Sequence, residues 1–175
     1  LIMFVSDNGA SAEVVNIQGP GRIGSISRWT SLGRDWANVS NTPFRYYKNY
    51  SYEGGIRTPF IAWWPEGIKN PGRTSSFAGH FIDFMATFID ICDADYPKHY
   101  NNEDILPYEG KSLLPVFLDK ETTRQGPLFW QWNKGKAMLE GSLKIVKHGQ
   151  DTSWNLYDMQ KDPTETTDLS DKYPE

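Results

Sequence analysis

Leu1-Ile2-Met3-Phe4-Val5-Ser6-Asp7-Asn8-Gly9 opens the chain, five apolar residues broken at once by a polar, turn-forming quartet. An apolar run this short, bounded by Asp-Asn-Gly, reads as a buried strand that stops and hands its last residues to a loop. In open α/β sheets ligands gather outside the carboxyl ends of the strands, which is where Asp7 and Asn8 then stand. Both offer oxygen, the donor a hard divalent cation prefers. The same residues are favoured in turns for conformational reasons alone, so a plain turn is the competing reading. Consecutive strand side chains point to opposite faces, so Asp7 and Asn8 converge on one ion only past the strand's end, where Gly9 supplies backbone freedom.

The 175 residues, 38% apolar and 14% aromatic, have ample surface to bury and suit one domain or a large piece of something bigger. Eighteen basic against twenty-two acidic residues leave a net charge of -4, with no basic stripe to follow a phosphate backbone, so nucleic acid is excluded as a partner. No apolar stretch approaches the roughly 20 residues that cross a bilayer. Cys92 is the single cysteine, has no disulfide partner, and is expected as a packed thiol. The chain opens in a strand with no leader and stops at Asp171-Lys172-Tyr173-Pro174-Glu175, which suggests a fragment or one subunit of a cleaved protein.

Residues 10–47, rich in Gly, Ser, Asn and Pro, read as one long irregular segment of the kind that carries function. Residues 56–64, interrupted by Pro59, read as a second buried strand. Over residues 81–92, Phe81, Phe84, Met85, Phe88, Ile89 and Cys92 recur at helical spacing and predict a helix with this face in the core, Asp83 or a residue just before it capping its start. A polar connector over 93–110 leads to a helical turn or two ending at Leu118. Beyond Gly126, residues 127–132, 136–140, 143–148 and 154–158 read as strands. Asn133-Lys134-Gly135, Gly141-Ser142 and Gly149-Gln150-Asp151 separate them at hairpin spacing, giving an antiparallel meander.

These landmarks resemble the formylglycine-dependent sulfatases of the alkaline-phosphatase-like superfamily. The resemblance rests on Ser6-Asp7-Asn8-Gly9; on the stretch from Trp36 to Arg45 with Lys48, Glu53-Gly54-Gly55-Ile56 and Thr58-Pro59; and on Gly79-His80-Phe81-Ile82-Asp83. Later come Glu109-Gly110-Lys111-Ser112-Leu113-Leu114-Pro115, then Leu156-Tyr157-Asp158 and the run from Lys161 to Leu169. It implies an α/β fold: residues 1–120 as the C-terminal part of an alkaline-phosphatase-like α/β sandwich, and residues 121–175 as a small antiparallel subdomain. It also implies Asp7 and Asn8 as calcium ligands, Lys48 as a catalytic and sulfate-binding residue, and His80 as a possible substrate contact.

An anionic Asp with a neutral Asn supplies oxygen to calcium while limiting negative charge beside an anionic substrate. A lysine offers a sulfate oxygen a compact charge with rotatable donors as the ester bond breaks. The alternative for Lys48 is a solvated loop lysine. The family's nucleophile, a hydrated formylglycine made in a Cys/Ser-x-Pro/Ala-x-Arg motif, has no counterpart here, since Cys92 is followed by Asp93-Ala94-Asp95. The implied whole is a sulfate ester hydrolase acting on a sulfated small molecule or glycan, exported or lysosomal, with an N-terminal half as partner and no nucleic acid or membrane span. The alternatives are a phosphoryl or phosphonate ester hydrolase on the same scaffold, or a noncatalytic carbohydrate-binding module.

Glu53 either orients Lys48 or a backbone amide, or satisfies the Gly54-Gly55 turn. Arg57 is expected in an ion pair, and His80 in a capping or hydrogen-bonding role beside the substrate one. His99 and His148 lack ligand spacing, which argues against zinc. Trp63, Trp64 and Trp154 are expected in the core, Trp29 and Trp36 against a pocket. Many relatives carry Glu-His where this chain has Gln131-Trp132, so no role is assigned to that pair.

Overall fold

A computed structural model describes residues 1–14, 19–120, 123–149 and 151–173. In chain order the elements are β1 (Ile2–Val5), α1 (Gly33–Ser40), α2 (Glu53–Ile56), β2 (Phe60–Trp63), α3 (Asp83–Cys92), β3 (His99–Tyr100), β4 (Glu103–Asp104), α4 (Leu114–Phe117), β5 (Leu128–Trp132), β6 (Gly135–Glu140), β7 (Leu143–Lys147) and β8 (Asn155–Asp158). β1 and β2 make a two-stranded sheet, β3 and β4 another, and β5-β6-β7-β8 a four-stranded one. Two compact units result, one of Leu1–Met3 with Ala62–Gly126, the other of Phe4–Ile61 with Pro127–Glu175. Residues 4–61 pack with the meander.

The meander follows its sequence pattern closely. Trp132 pairs with Gly135 around Asn133-Lys134, and Glu140 pairs with Leu143 around Gly141-Ser142, all antiparallel. The first loop residue of each hairpin has a positive φ, 52° at Asn133 and 59° at Gly141, which suits tight two-residue loops. Strand alternation puts Ala137, Val146 and Tyr157 on the buried face, where they cluster with Tyr52, and Tyr46, Tyr50, Trp130 and Met159 pack around them. In the expected third separator, Gln150 lies outside the described residues, as do Pro174 and Glu175 of the C-terminal stretch.

The other unit is built around α3, and here the sequence reading needs correcting. The helix forms as its period requires, but its buried residues are Asp83, Ala86 and Thr87. Phe81, Met85 and Phe88 are 46%, 49% and 45% exposed. The inward face is chosen by hydrogen bonding: Thr87 Oγ1 donates to the Asp83 carbonyl at 2.6 Å and accepts from Leu113 N at 2.8 Å. Those bonds tie the helix to the segment leading into α4, whose Val116 and Phe117 are buried. Asp83 is the first helical residue, and no side chain caps from the position before it. Cys92 at the helix end is exposed, not packed.

Three further expectations change. Residues 10–47 are not wholly irregular, since α1 occupies Gly33–Ser40 with Ala37 buried. The second strand is shorter than 56–64 because Ile56 closes helix α2 and Pro59 precedes the first paired residue. Neither β1 nor β2 is buried, with Ile2, Phe4 and Trp63 at 60%, 68% and 59% exposure, because among the described residues the two strands pair only with each other. Trp154 is likewise 40% exposed.

Candidate active site

Asp7, Asn8 and Lys48 lie in the unit that contains the meander, and backbone bonds lace their segments together. Past β1, Gly9 N donates to Gly55 O at 3.0 Å, and Lys48 N donates to Ala10 O at 3.1 Å. Gly54 N in turn donates to Arg45 O at 2.8 Å. Asn41, just after α1, completes the lacing: its Oδ1 accepts from Ala10 N at 3.0 Å and its Nδ2 donates to Tyr46 O at 3.0 Å. These contacts need glycine for space. A Cβ on Gly9 would lie 1.7 Å from Gly54 O, and one on Gly54 2.1 Å from Tyr46 O. Tyr46 and Asn49 on either side of Lys48 hold φ of 62° and 77°, a left-handed conformation that is costly for non-glycine residues and collects at functional sites.

Asn8 Nδ2 donates to Asp7 Oδ1 at 2.9 Å, which turns the two oxygen-bearing side chains toward each other. Among the described residues no group of three or more His, Cys, Asp or Glu could hold a metal. Lys48 Nζ, on a side chain one-third exposed, pairs with Glu13 Oε1 at 3.3 Å. A hydrogen bond from Ser11, then Lys48, holds the Glu13 carboxyl below the usual glutamate range.

Glu53 does not face Lys48, so that part of its expected role is corrected. Its Oε1 accepts from Lys144 Nζ at 2.7 Å, and its Oε2 lies 3.5 Å from Arg57, the ion pair expected of that arginine. Lys144 also pairs with Glu165 Oε1 at 2.7 Å, and Glu165 Oε2 accepts from Glu53 N at 2.7 Å. Lys144 and Glu165 are fully buried. Burial pushes the Glu165 carboxyl up, against the pull of Lys144. This triad escaped the sequence reading, although alternation along β7 puts Lys144 on the same face as Val146.

His80 belongs to the other unit. Its backbone N donates to Asp83 Oδ2 at 2.8 Å, and its Nδ1 accepts from Ile82 N at 3.3 Å, so the hydrogen-bonding role expected of it is present. Burial lowers its pKa and keeps the ring neutral near pH 7. Asp83 is fully buried, and Arg124 closes on it through Nη1 at 2.6 Å and Nη2 at 3.0 Å while Lys111 N donates to Oδ1 at 2.8 Å.

Trp29 and Trp36, expected to line a pocket, are 59% and 66% exposed. A cleft of about 210 Å³ in the unit that contains the meander is lined instead by Asn49, Trp132, Asn133, Lys134, His148 and Gly149. Asn49 is the residue after Lys48, and Tyr50 stacks on His148 with ring centroids 4.0 Å apart. His99 Nδ1 pairs with Asp104 Oδ1 at 2.6 Å.

The sequence model of the family N-sulphoglucosamine sulphohydrolase, C-terminal, matches residues 44–174. An uncharacterized sulfatase of Schizosaccharomyces pombe is 26% identical across 99% of this chain and 35% of its own length. An arylsulfatase of Klebsiella aerogenes is 30% identical across 73% of this chain and 30% of its own. The crystal structure of Ps i-CgsB in complex with k-i-k-neocarrahexaose superposes with a TM-score of 0.70 at 22% identity, over 98% of this chain and 32% of that one, and shares its fold. The chain thus spans about a third of the length of these proteins.

Proposed function

The chain belongs to the family of N-sulphoglucosamine sulphohydrolase C-terminal domains, and from that membership we propose that the protein carrying it hydrolyses sulfate esters at a site to which this chain gives Asp7, Asn8 and Lys48. The observation that carries the reading is the lacing of their two segments through Lys48 N to Ala10 O and Gly9 N to Gly55 O. It puts a cation on the loop hydrogen-bonded to the strand end that bears the carboxylate and carboxamide.

Asp7 and Asn8 suit calcium as two hard oxygen donors. A full shell takes about six to eight oxygens, so in this reading residues outside the chain complete it. Bound there, calcium would polarise a sulfate oxygen. Lys48 exchanges Glu13 for a sulfate oxygen and stabilises the charge that develops as the S–O bond to the alcohol breaks. The nucleophile, a formylglycine hydrate, also lies outside this chain. His80, in the other unit, is proposed by itself as a substrate contact; its Nδ1 accepts from Ile82 N, so in the neutral ring Nε2 carries the proton and is the donor.

The proposed substrate is a sulfated small molecule or glycan. The cleft beside Asn49 favours a sugar, because Trp132, 64% exposed as a residue, lines it together with Asn49, Asn133 and Lys134. Ps i-CgsB has been crystallised with a carrahexaose, and the Klebsiella aerogenes relative is an arylsulfatase. By analogy with its family we propose that the protein is exported or lysosomal. No helix among the described residues is long and apolar enough to cross a membrane.

The test is turnover of an aryl sulfate and of the matching aryl phosphate by the full-length protein. Asp7→Ala should lose turnover together with its calcium response, and Lys48→Ala should lower kcat by roughly 100-fold or more. Full activity in both variants would make the assignment wrong, and faster phosphate than sulfate hydrolysis would favour the phosphoryl or phosphonate alternative. Glycan binding without turnover of either ester would leave a carbohydrate-binding module.

A further inference from the structure

Lys144 is a fully buried lysine on the inner face of a small sheet, paired in register with Tyr157. Burying an ammonium is costly unless it is paired and hydrogen-bonded, and apolar residues of similar size often serve stability as well or better. Two carboxylates hold it, Glu53 Oε1 and Glu165 Oε1, each at 2.7 Å. Glu165 carries a second oddity, a φ of 56°, where non-glycine backbone is disfavoured. Around it Asp162 Oδ2 accepts from Thr166 N at 2.8 Å and Thr167 N at 2.7 Å, and Arg45 Nη1 donates to Glu165 O at 3.2 Å. The surrounding turn holds Glu165 in that conformation with its carboxylate aimed at Lys144 and at Glu53 N.

Every group gathered there leads back to the glycine loop. Glu53 N is the first amide of α2, and Gly54 and Gly55 follow it against Gly9 and Arg45. The same Arg45 whose carbonyl accepts Gly54 N sends Nη1 to Tyr157 Oη at 3.0 Å and to Glu165 O. Tyr52 Oη donates to Asn155 Oδ1 at 3.0 Å. The strand β7, the turn at 162–167 and the loop at 45–55 are joined by charge rather than by apolar packing alone.

We infer that Lys144 and Glu165 are positioning residues: their buried ion triad with Glu53 fixes the 45–55 loop, and so sets Lys48 and the Asp7-Asn8 strand end in register with each other. The inference rests on the sulfate-ester reading for its kinetic consequence and on the triad's geometry alone for the structural one. A charged brace fits this task because its bonds are directional, whereas an apolar contact tolerates sliding.

The test compares Glu165→Gln with wild type in the full-length protein, reading kcat and KM on an aryl sulfate, the calcium concentration for half-maximal activity, and backbone hydrogen exchange. Glu165→Gln keeps the shape and removes the charge. The expected result is a kcat lower by roughly ten- to a hundredfold, a several-fold higher calcium requirement, and faster exchange over residues 44–56 with β5 and β6 unchanged. Tyr157→Phe, which removes only the hydroxyl under Arg45, is the milder second variant and should move the same quantities in the same direction by about two- to threefold. A lower melting temperature in both variants with kcat, the calcium requirement and exchange over 44–56 at wild-type values would overturn the inference and leave a structural brace. If the wild-type protein turns over no aryl sulfate while Glu165→Gln still loosens residues 44–56, the sulfate-ester reading fails and the structural part of the inference stands.

Discussion

Each compact unit buries a carboxylate against a cation, and the two do it over different reaches of chain. Asp83 and Arg124 have side chains 0% and 7% exposed, and the remaining acceptor capacity of Asp83 goes to the amides of His80 and Lys111, 3 and 28 positions away. That pair closes one loop and fixes the start of α3. Lys144 instead joins Glu53, 91 positions away, and Glu165 reaches back 112 positions to the amide of Glu53. One buried charge finishes a helix, while the other ties three remote segments behind a glycine loop. Buried charge is thus a shorter-range anchor in one unit and a long-range brace in the other, and the brace ties down the segment that carries Lys48.

The most severe way to break this comparison is to strand the carboxylates. Arg124→Met and Lys144→Met should each cost about 3–5 kcal/mol, since an uncompensated buried charge is left behind. Urea midpoints measure the loss. The contrast is in hydrogen exchange over residues 44–56, which Lys144→Met should accelerate and Arg124→Met should leave alone. A smaller pair uses glycines. Gly54→Ala puts a methyl 2.1 Å from Tyr46 O, and Gly110→Ala puts one 2.0 Å from Ile82 O. Each should destabilise by about 1–3 kcal/mol, yet only Gly54→Ala should also depress aryl sulfate turnover. Equal kinetic effects would erase the distinction between the units. Thr87→Val, which strips the bond to Leu113 N from the anchor side, should cost about 1–2 kcal/mol with turnover unchanged.

The two units also differed in how openly the sequence spoke. The meander was legible because period-2 alternation and two-residue turns are local signals, and the strands fell within a residue or so of their expected limits. Helix α3 was legible as a helix and misread as a packing surface. Its strongest apolar stripe runs through Phe81, Met85 and Phe88, but Thr87 and Asp83 choose the inward face through hydrogen bonds to residues far along the chain. Helix α1 was hidden because Trp36 and Val39, at 66% and 60% exposure, advertise no core face and only Ala37 is buried. In the candidate site, Asp7, Asn8 and Lys48 were visible through their flanking motifs, as their segments must be short and glycine-rich to meet. Lys144, Glu165, Asn41 and Glu13 were not, because their roles are set by partners tens of residues away, and a lysine in a strand ordinarily signals solvent.

The mildest prediction tests a surface carboxylate of the braced unit. Asp168 Oδ1 accepts from Leu156 N at 3.0 Å and from Ser170 N at 2.9 Å, and Oδ2 accepts from Asn155 Nδ2. Partial burial opposes ionisation, but these hydrogen bonds outweigh it and hold the carboxyl at about 2. The unfolded chain's aspartate titrates near ~3.9, so the folded state binds its proton less readily and the bonds contribute stability above that value. That contribution fades as pH falls from ~3.9 through about 2. Because Asp168 is largely exposed, solvent screening limits it to about 1 kcal/mol. Asp168→Asn should therefore lower the urea midpoint near about pH 6 and converge on wild type near about pH 2. A gap that stays constant across this range would show that the carboxylate's charge is irrelevant, leaving Glu53, Lys144 and Glu165 as the charges that hold this unit's remote segments together.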